Sequence, residues 1–505
     1  MAYRIHRLAR LLGAAVLAAP LLCAPARSYA QLPALGDGGG LSLGAERRMG
    51  ERVARELFRD PDYLDDPVLA EYVQEIWSRL LAAARSLGEL PPEMDQRYAW
   101  QIILGRDPEI NAFAMPGGYL GLQLGLIDIV DCPDELASVL AHELSHVTQR
   151  HISRLMAQQG RMTPWVIGAM ILGALAASKS PDLGGAVITG SQAAAVQGHL
   201  NFSRTMEREA DRVGYGVMTK AGYAPRAFAA MFEKLQRASR LNDNDAFPYL
   251  RTHPLTTERI ADMQARAQFS AGPPLPALSL QQALITARAL VLSHPGVDAL
   301  GVAVSGAVDA GSGMAPAREA GALYAGALAS VQQRNFPQAR RFVARLGPLV
   351  AGDAPAARLV NLLAAEVAWK AGDAPRVLAL LAPNAPGRPE LVLTSEALIR
   401  TGQAPQAAQR LQTWVAVHPR DATAWQLLAS ADSAQGRTLR SIRAGAEAQV
   451  AMLDYAGAVD RLKAAQDLVR RRTLAGQPVD DIEASIIDAR ARQVQSLLEE
   501  QTLEH

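Results

Sequence analysis

The chain has 505 residues, more than one domain of about 100–200 residues holds, so two to four domains are expected. With 49% apolar and 20% charged residues it is too apolar to be a disordered polypeptide. The formal net charge of +1, from 51 basic and 50 acidic residues, argues against an electrostatic nucleic-acid binder. Aromatics are only 5% and Ala and Leu are abundant, which favours a mostly helical protein over a β-sandwich.

In chain order, residues 1–30 read as a cleavable secretory signal. Arg4, Arg7 and Arg10 form the basic start, Leu11 to Leu22 an apolar run, and Ser28-Tyr29-Ala30 a small-x-small cleavage site. These 30 residues hold four Arg and no acid, so cleavage would move the formal charge from +1 to −3. The cysteines are Cys23 and Cys132; after cleavage Cys132 is the only thiol, so an internal disulfide is excluded. Residues 31–44, rich in Gly, Pro and Leu, read as a linker. Ala45 to about Leu87 is helical in pattern, broken near Pro61 and Pro67. Tyr98 to Leu104 is a β-type run, and Asn111 to Leu126 reads as a hairpin around Pro116-Gly117-Gly118. Pro133 opens a long helix with Asp134 and Glu135 in its first turn, where the helix dipole favours acids, and Cys132 sits at its cap. Trp165 to Ala177 is almost wholly apolar but too short to span a bilayer; it reads as a buried helical hairpin or as a flap or membrane-facing segment. Ser203 to Ala221 is helical again, ended by Gly222 with Pro225 beyond.

The run Ala271-Gly272-Pro273-Pro274-Leu275-Pro276 marks a boundary, after which the chain is nearly all helix and repeats internally. Helix–turn–helix units turn at Asn335, Gly372, Gly402, Gly436 and Asp454, and Gly402 and Gly436 lie 34 residues apart. Small residues flank these turns: Ala327 and Ala339, Ala365, Ser395 and Ala407, Ala429, and Ala446 and Ala458. The pattern resembles tetratricopeptide repeats; an irregular α-solenoid is the alternative, and both offer a concave protein-binding surface. The expected organisation is a signal at 1–30, a linker at 31–44, a catalytic domain at 45–270, connecting helices at 271–315 and repeats at 316–495.

The strongest chemical signal is His142-Glu143-Leu144-Ser145-His146, an H-E-x-x-H within the helix opened by Pro133. Residues four apart share a helix face, so His142 and His146 can bind one metal ion, and Glu143 beside them can take a proton from water. A catalytic zinc needs a third protein ligand. Glu207 and Asp211 are also four apart on a predicted helix; one can bind metal while the other orients a ligand histidine. Glu209 lies about 200° round that helix from Glu207, which points it to a solvated face. His151, five residues past His146, is about 140° off the metal-binding face, and His199, His294, His418 and His505 carry no signal.

These strings resemble the gluzincin metallopeptidases of the HtpX and CAAX-prenyl-protease type, and with the signal and repeats they resemble the periplasmic BepA-like branch. The likeness rests on Asn111-Ala112-Phe113 with Pro116-Gly117-Gly118, on His142-Glu143-x-x-His146-Val147-x-Gln149-Arg150-His151, and on Phe202-Ser203-Arg204-x-x-Glu207-x-Glu209-Ala210-Asp211-Arg212. Thr252-His253-Pro254 with Arg259-Ile260 continues it. The resemblance implies a mostly α, α+β zincin-like domain with a small sheet, followed by an all-α tetratricopeptide-like solenoid. It implies one Zn²⁺ per subunit on His142, His146 and Glu207, with Glu143 as general base, Asp211 orienting a ligand, and His253 as a fourth ligand that silences the resting enzyme. It also implies that Ala112–Leu120 holds an edge strand beside the zinc and that residues 155–200 plug the site. The implied clients are unfolded or misassembled outer-membrane proteins, the implied partners the barrel-assembly machinery and the lipopolysaccharide-transport barrel, with no nucleic acid and a peripheral membrane contact. The implied setting is the periplasm. The alternative is mainly a chaperone or interaction protein whose zinc site His253 holds closed.

Overall fold

A computed structural model describes residues 41–158, 202–241, 248–269, 274–311 and 313–502. The signal, most of the linker, the apolar run at 165–177, His199, His505 and most of the 155–200 segment lie outside these residues.

Helix Leu43–Arg59 starts where the Ser42 hydroxyl accepts the Ala45 N–H, and helix Pro67–Leu87 starts at an Asp66 cap followed by proline. The second helix turns Leu69, Trp77 and Leu80 into the core, all fully buried. A three-stranded sheet follows: β1 (Gln101–Gly105), β2 (Ala112–Met115) and β3 (Tyr119–Gln123). Its order is β1-β3-β2, with β1 parallel to β3 and β2 antiparallel to it. The hairpin expected around Pro116-Gly117-Gly118 is therefore present, and β2 forms one edge of the sheet.

Helix Pro133–Thr148 runs through the middle of this domain, with Leu136, Leu140 and Leu144 fully buried. Charged groups fix its first turn. Asp134 accepts the Ala224 N–H at 2.6 Å, and Glu135 accepts Asp131 N–H and Lys234 Nζ, each at 2.7 Å. Cys132 is its buried N-cap, and burial pushes the thiol up to about 11, so it stays protonated and unreactive.

Beyond residue 280 the described chain is all helical. Antiparallel pairs turn at Asn335, Gly372, Gly402 and Gly436, the three glycines all at positive φ. Helix Leu280–Ser293 links this array to the first domain. Its Arg288 is buried and grips Asp66 through Nε and Nη2, while Nη1 reaches Glu366 on helix Ala354–Lys370. Two more arginines repeat the motif: Arg358 bridges Glu71 and Glu390, and Arg388 bridges Asp65 and Asp421. At the far end, Leu439, Tyr455, Leu462 and Ile487 share one apolar cluster with Met49, Val53 and Phe58 of the first helix. The helical array thus grips the first domain at both ends. Among the described residues, no helix is long and apolar enough to cross a membrane.

Candidate metal centre

Helix Arg204–Lys220, capped by Ser203, packs against helix Pro133–Thr148. The crossing is close because Gly214 faces Ala141, whose carbonyl oxygen would lie 3.0 Å from any added Cβ. This contact carries Glu207 and Asp211 to the two histidines. His142, Glu143, His146, Glu207, Asp211 and His253 are all 0–1% exposed, so their polar atoms must find partners other than bulk water.

Four of these residues converge. One nitrogen or oxygen from each of His142, His146, Glu207 and His253 lies within 4.8 Å of all the others. His142 Nε2 is 3.0 Å from His146 Nε2 and 3.4 Å from His253 Nδ1. Glu207 Oε1 is 3.1 Å from His253 Nδ1 and 3.4 Å from His146 Nε2. Bonds of 2.0–2.1 Å in a tetrahedron have edges of about 3.3–3.4 Å, and these four separations lie at or just below that value. Three imidazoles aimed at one point cannot satisfy each other by hydrogen bonds, since each nitrogen pair can share at most one proton. Glu143 Oε1 is buried without a hydrogen-bond partner, and Glu207 Oε2 accepts no aligned hydrogen bond although Arg259 Nη1 lies 2.7 Å from it. The set fits a cation, and nitrogen donors with a single carboxylate suit a transition metal better than calcium or magnesium. Burial lowers the His142 imidazole, but Asp211 and Glu207 outweigh it and raise its pKa to about 9, while burial holds His146 well below its ordinary value.

Around the cluster, charge is set by longer-range partners. Asp211 Oδ1 lies 3.0 Å from His142 Nδ1, a charge contact too poorly aligned to count as a hydrogen bond. Its firm bonds come from Arg259, whose Nε and Nη2 each reach it at 2.7 Å. Burial pushes the Asp211 carboxyl up, yet Arg259 and then His142 hold it below its ordinary value. Arg259 also lies 2.7 Å from Glu207 and donates at 2.9 Å to the carbonyl of Pro254, next to His253. Glu143 Oε2 accepts the Ala114 N–H of β2 at 2.9 Å. Burial raises its carboxyl against the opposing pull of His253 and His142, the direction a proton carrier needs. Tyr249 stacks on His253 at 4.8 Å between ring centres.

The structure brings together all six residues singled out in the sequence, and adds four that sequence reasoning left without a role. In the sequence Arg259 stands beside Ile260 with nothing local to mark its role. Glu209 is not on a solvated face: its Oε2 bonds His151 Nε2 at 3.1 Å and Arg154 Nη1 at 2.7 Å. His151 is fully buried, with Nδ1 3.0 Å from His146 Nδ1. An angle of about 140° from the metal-binding face holds only for one continuous helix. The helix ends at Thr148, Arg150 adopts φ 53°, and His151 opens a second helix that returns it to the cluster. Phe202 lies over His146 at 4.0 Å between ring centres.

Residues 67–267 match peptidase family M48. The chain is 30% identical over 477 residues to the beta-barrel assembly-enhancing protease of Escherichia coli (strain K12), covering 93% of this chain and 92% of that protein. It is 31% identical over 425 residues to the protein of that name in Yersinia pestis, covering 82% and 83%. A 204-residue stretch is 27% identical to metalloprotease LoiP of Escherichia coli (strain K12), covering 40% of this chain and 72% of that one. A helix-borne His142/His146 pair, a carboxylate from a second helix and this extent of likeness lead to one conclusion: the chain belongs to peptidase family M48 and is a metal-dependent endopeptidase.

Proposed function

We propose that the protein is a periplasmic zinc endopeptidase that serves the quality control and assembly of outer-membrane β-barrel proteins. The observation that carries the zinc reading is the buried convergence of one ligand atom each from His142, His146, Glu207 and His253 within 4.8 Å of one another. His142, His146 and Glu207 would hold one Zn²⁺ per subunit, with His253 in the fourth position. When bound, zinc polarises the scissile carbonyl and acidifies water. Glu143 takes the proton from the attacking water and returns it to the leaving amine. Asp211, fixed by Arg259, holds the outer nitrogen of His142 and so orients its inner one. Among the described residues β2 has no strand on its outer side beside Glu143, and this edge would offer main-chain pairing to an extended substrate, which suits a peptidase of unfolded chains.

The client class follows from the relatives named for β-barrel assembly, and the partners would be the barrel-assembly machinery and the lipopolysaccharide-transport barrel. The helix pairs from Pro316 onward would act as tetratricopeptide repeats that hold these proteins. The domain bounds would be 1–30, 31–44, 45–270, 271–315 and 316–495, with the first removed on export.

His253 favours a second reading, in which the protein mainly chaperones and its site rests closed. It would fill a ligand position, with Nδ1 3.1 Å from Glu207, and it also lies 3.5 Å from the Glu143 carboxylate. Digestion of an unfolded β-barrel protein by wild type, Glu143→Gln and His253→Ala separates the readings. Under the peptidase reading, Glu143→Gln binds the client without cutting it. Self-closure requires His253→Ala to cut faster than wild type, and equal rates remove it. Purified protein that takes up no zinc overturns the zinc assignment.

A further inference from the structure

His146 presents its Nε2 to the metal cluster and its Nδ1 to His151. His151 is fully buried and bonds in turn to Glu209, which Arg154 also holds. The proton positions along this line are not free. Glu209 is an ionised carboxylate, an acceptor only, so His151 Nε2 must carry the hydrogen it receives. A neutral imidazole then has a bare lone pair on Nδ1. That lone pair faces His146 Nδ1 at 3.0 Å, so His146 must donate from Nδ1, and its own lone pair is left on Nε2, the atom aimed at His142 and Glu207.

We propose that Glu209 and His151 are positioning residues that act in series to fix the tautomer and ring orientation of His146 as a metal ligand. This rests on the reading of His146 as a ligand. His142 has its acid directly behind it in Asp211; among the described residues the group against the outer nitrogen of His146 is the buried His151, which carries the influence of Glu209 inward from the partly exposed edge of the site. Phe202, packed over His146, limits the ring's alternative rotations. The break at Arg150 serves this arrangement, since a continuous helix would turn His151 away.

The test is zinc affinity of the full chain, measured by chelator competition, for wild type, His151→Leu, His151→Asn, Glu209→Gln and His146→Ala. The visible spectrum of each Co²⁺-loaded protein is read alongside. Asn places an amide oxygen where His151 has Nδ1, so it keeps the acceptor; Leu fills the space without one. His151→Leu should bind zinc about 10–100-fold more weakly, as loss of a ligand's outer partner does, and should shift the Co²⁺ bands. His151→Asn should stay within about 3-fold of wild type. Glu209→Gln should fall between, because an amide can also donate and favour the other tautomer of His151. Wild-type affinity in His151→Leu overturns the proposal, and so does an Asn variant as weak as Leu. Wild-type affinity in His146→Ala instead overturns the ligand reading beneath it. A misfolded Leu variant is recognised by its melting curve without metal, and the Asn and Gln variants then carry the decision.

Discussion

Glu143 Oε2 accepts a hydrogen bond from the backbone N–H of Ala114 at 2.9 Å. Ala114 lies on β2, and this N–H points away from β3, toward the site. The proposed base is thus tied to the same strand edge that an extended peptide would join. A substrate pairing with β2 competes for the Ala114 N–H as it arrives, which would release that carboxylate oxygen to accept a proton.

Glu143→Gln should lower peptide hydrolysis by about 10²–10⁴-fold, the range that a positioned general base supplies. Its amide oxygen can still accept the Ala114 N–H, so the melting temperature should change little. Rates on an unfolded protein substrate, with a thermal melt of each variant, check both parts. A large fall in melting temperature would mean that Glu143 is chiefly structural.

Arg259 neutralises two buried carboxylates, Asp211 and Glu207, and holds the carbonyl of Pro254 beside His253. Removing it leaves buried negative charge without a partner, which costs about 3–5 kcal/mol. Arg259→Met should therefore melt well below wild type. Bound metal compensates part of the same charge, so saturating zinc should raise the melting temperature of the variant by more than that of wild type. Parallel melts with zinc and with chelator measure the difference; equal shifts would separate Arg259 from the electrostatics of the cluster.

The site was legible wherever geometry is local. His142 and His146, like Glu207 and Asp211, share a face through the spacing of one helix, and no tertiary knowledge is needed to pair them. The repeat turns were legible for a similar reason: Gly372, Gly402 and Gly436 sit at positive φ, a conformation that glycine signals in sequence. His151 and Glu209 were not. The first depends on a left-handed Arg150, a residue type that gives no such signal, and the second on the helix His151–Gln158 covering a face that helical angles alone assign to water. Arg259 comes from 48 residues beyond Asp211, a separation over which periodicity carries nothing. Nor does any repeat pattern show that Leu462 and Ile487 share a core with Met49 and Val53.

Arg388 joins the two halves of the molecule by bidentate contacts to Asp65 and to Asp421. Burial raises the Asp421 carboxyl, but Arg388, the Ala424 N–H and Trp414 hold it below its ordinary value. A carboxyl whose folded pKa lies below its unfolded one binds protons more readily when unfolded. Its stabilisation is therefore present above the unfolded value of about 4 and is lost as pH falls through the folded one. Arg388→Ala should cost about 3 kcal/mol at neutral pH, with a smaller difference from wild type in strong acid. Urea melts at a series of pH values test this, and a difference independent of pH would detach Asp421 from the effect.

Two glycines of helix Arg204–Lys220 should respond in opposite directions to the same substitution. A Cβ at Gly216 meets nothing within 4 Å, so Gly216→Ala should stabilise the helix by about 0.5–1 kcal/mol through reduced backbone freedom in the unfolded chain. A Cβ at Gly214 would lie 3.0 Å from the carbonyl oxygen of Ala141 and 3.1 Å from the backbone nitrogen of His142. Neither atom can yield, because both belong to the buried helix that carries His142 and His146. Gly214→Ala must push the two helices apart, withdrawing Glu207 from the histidines. It should destabilise by about 1–3 kcal/mol despite its better helix propensity, and zinc should bind more weakly than in wild type, whereas Gly216→Ala should bind it unchanged. Melting curves and chelator competition on both variants decide it, and a Gly214→Ala protein with wild-type zinc affinity would show that the close helix contact does not set the position of Glu207.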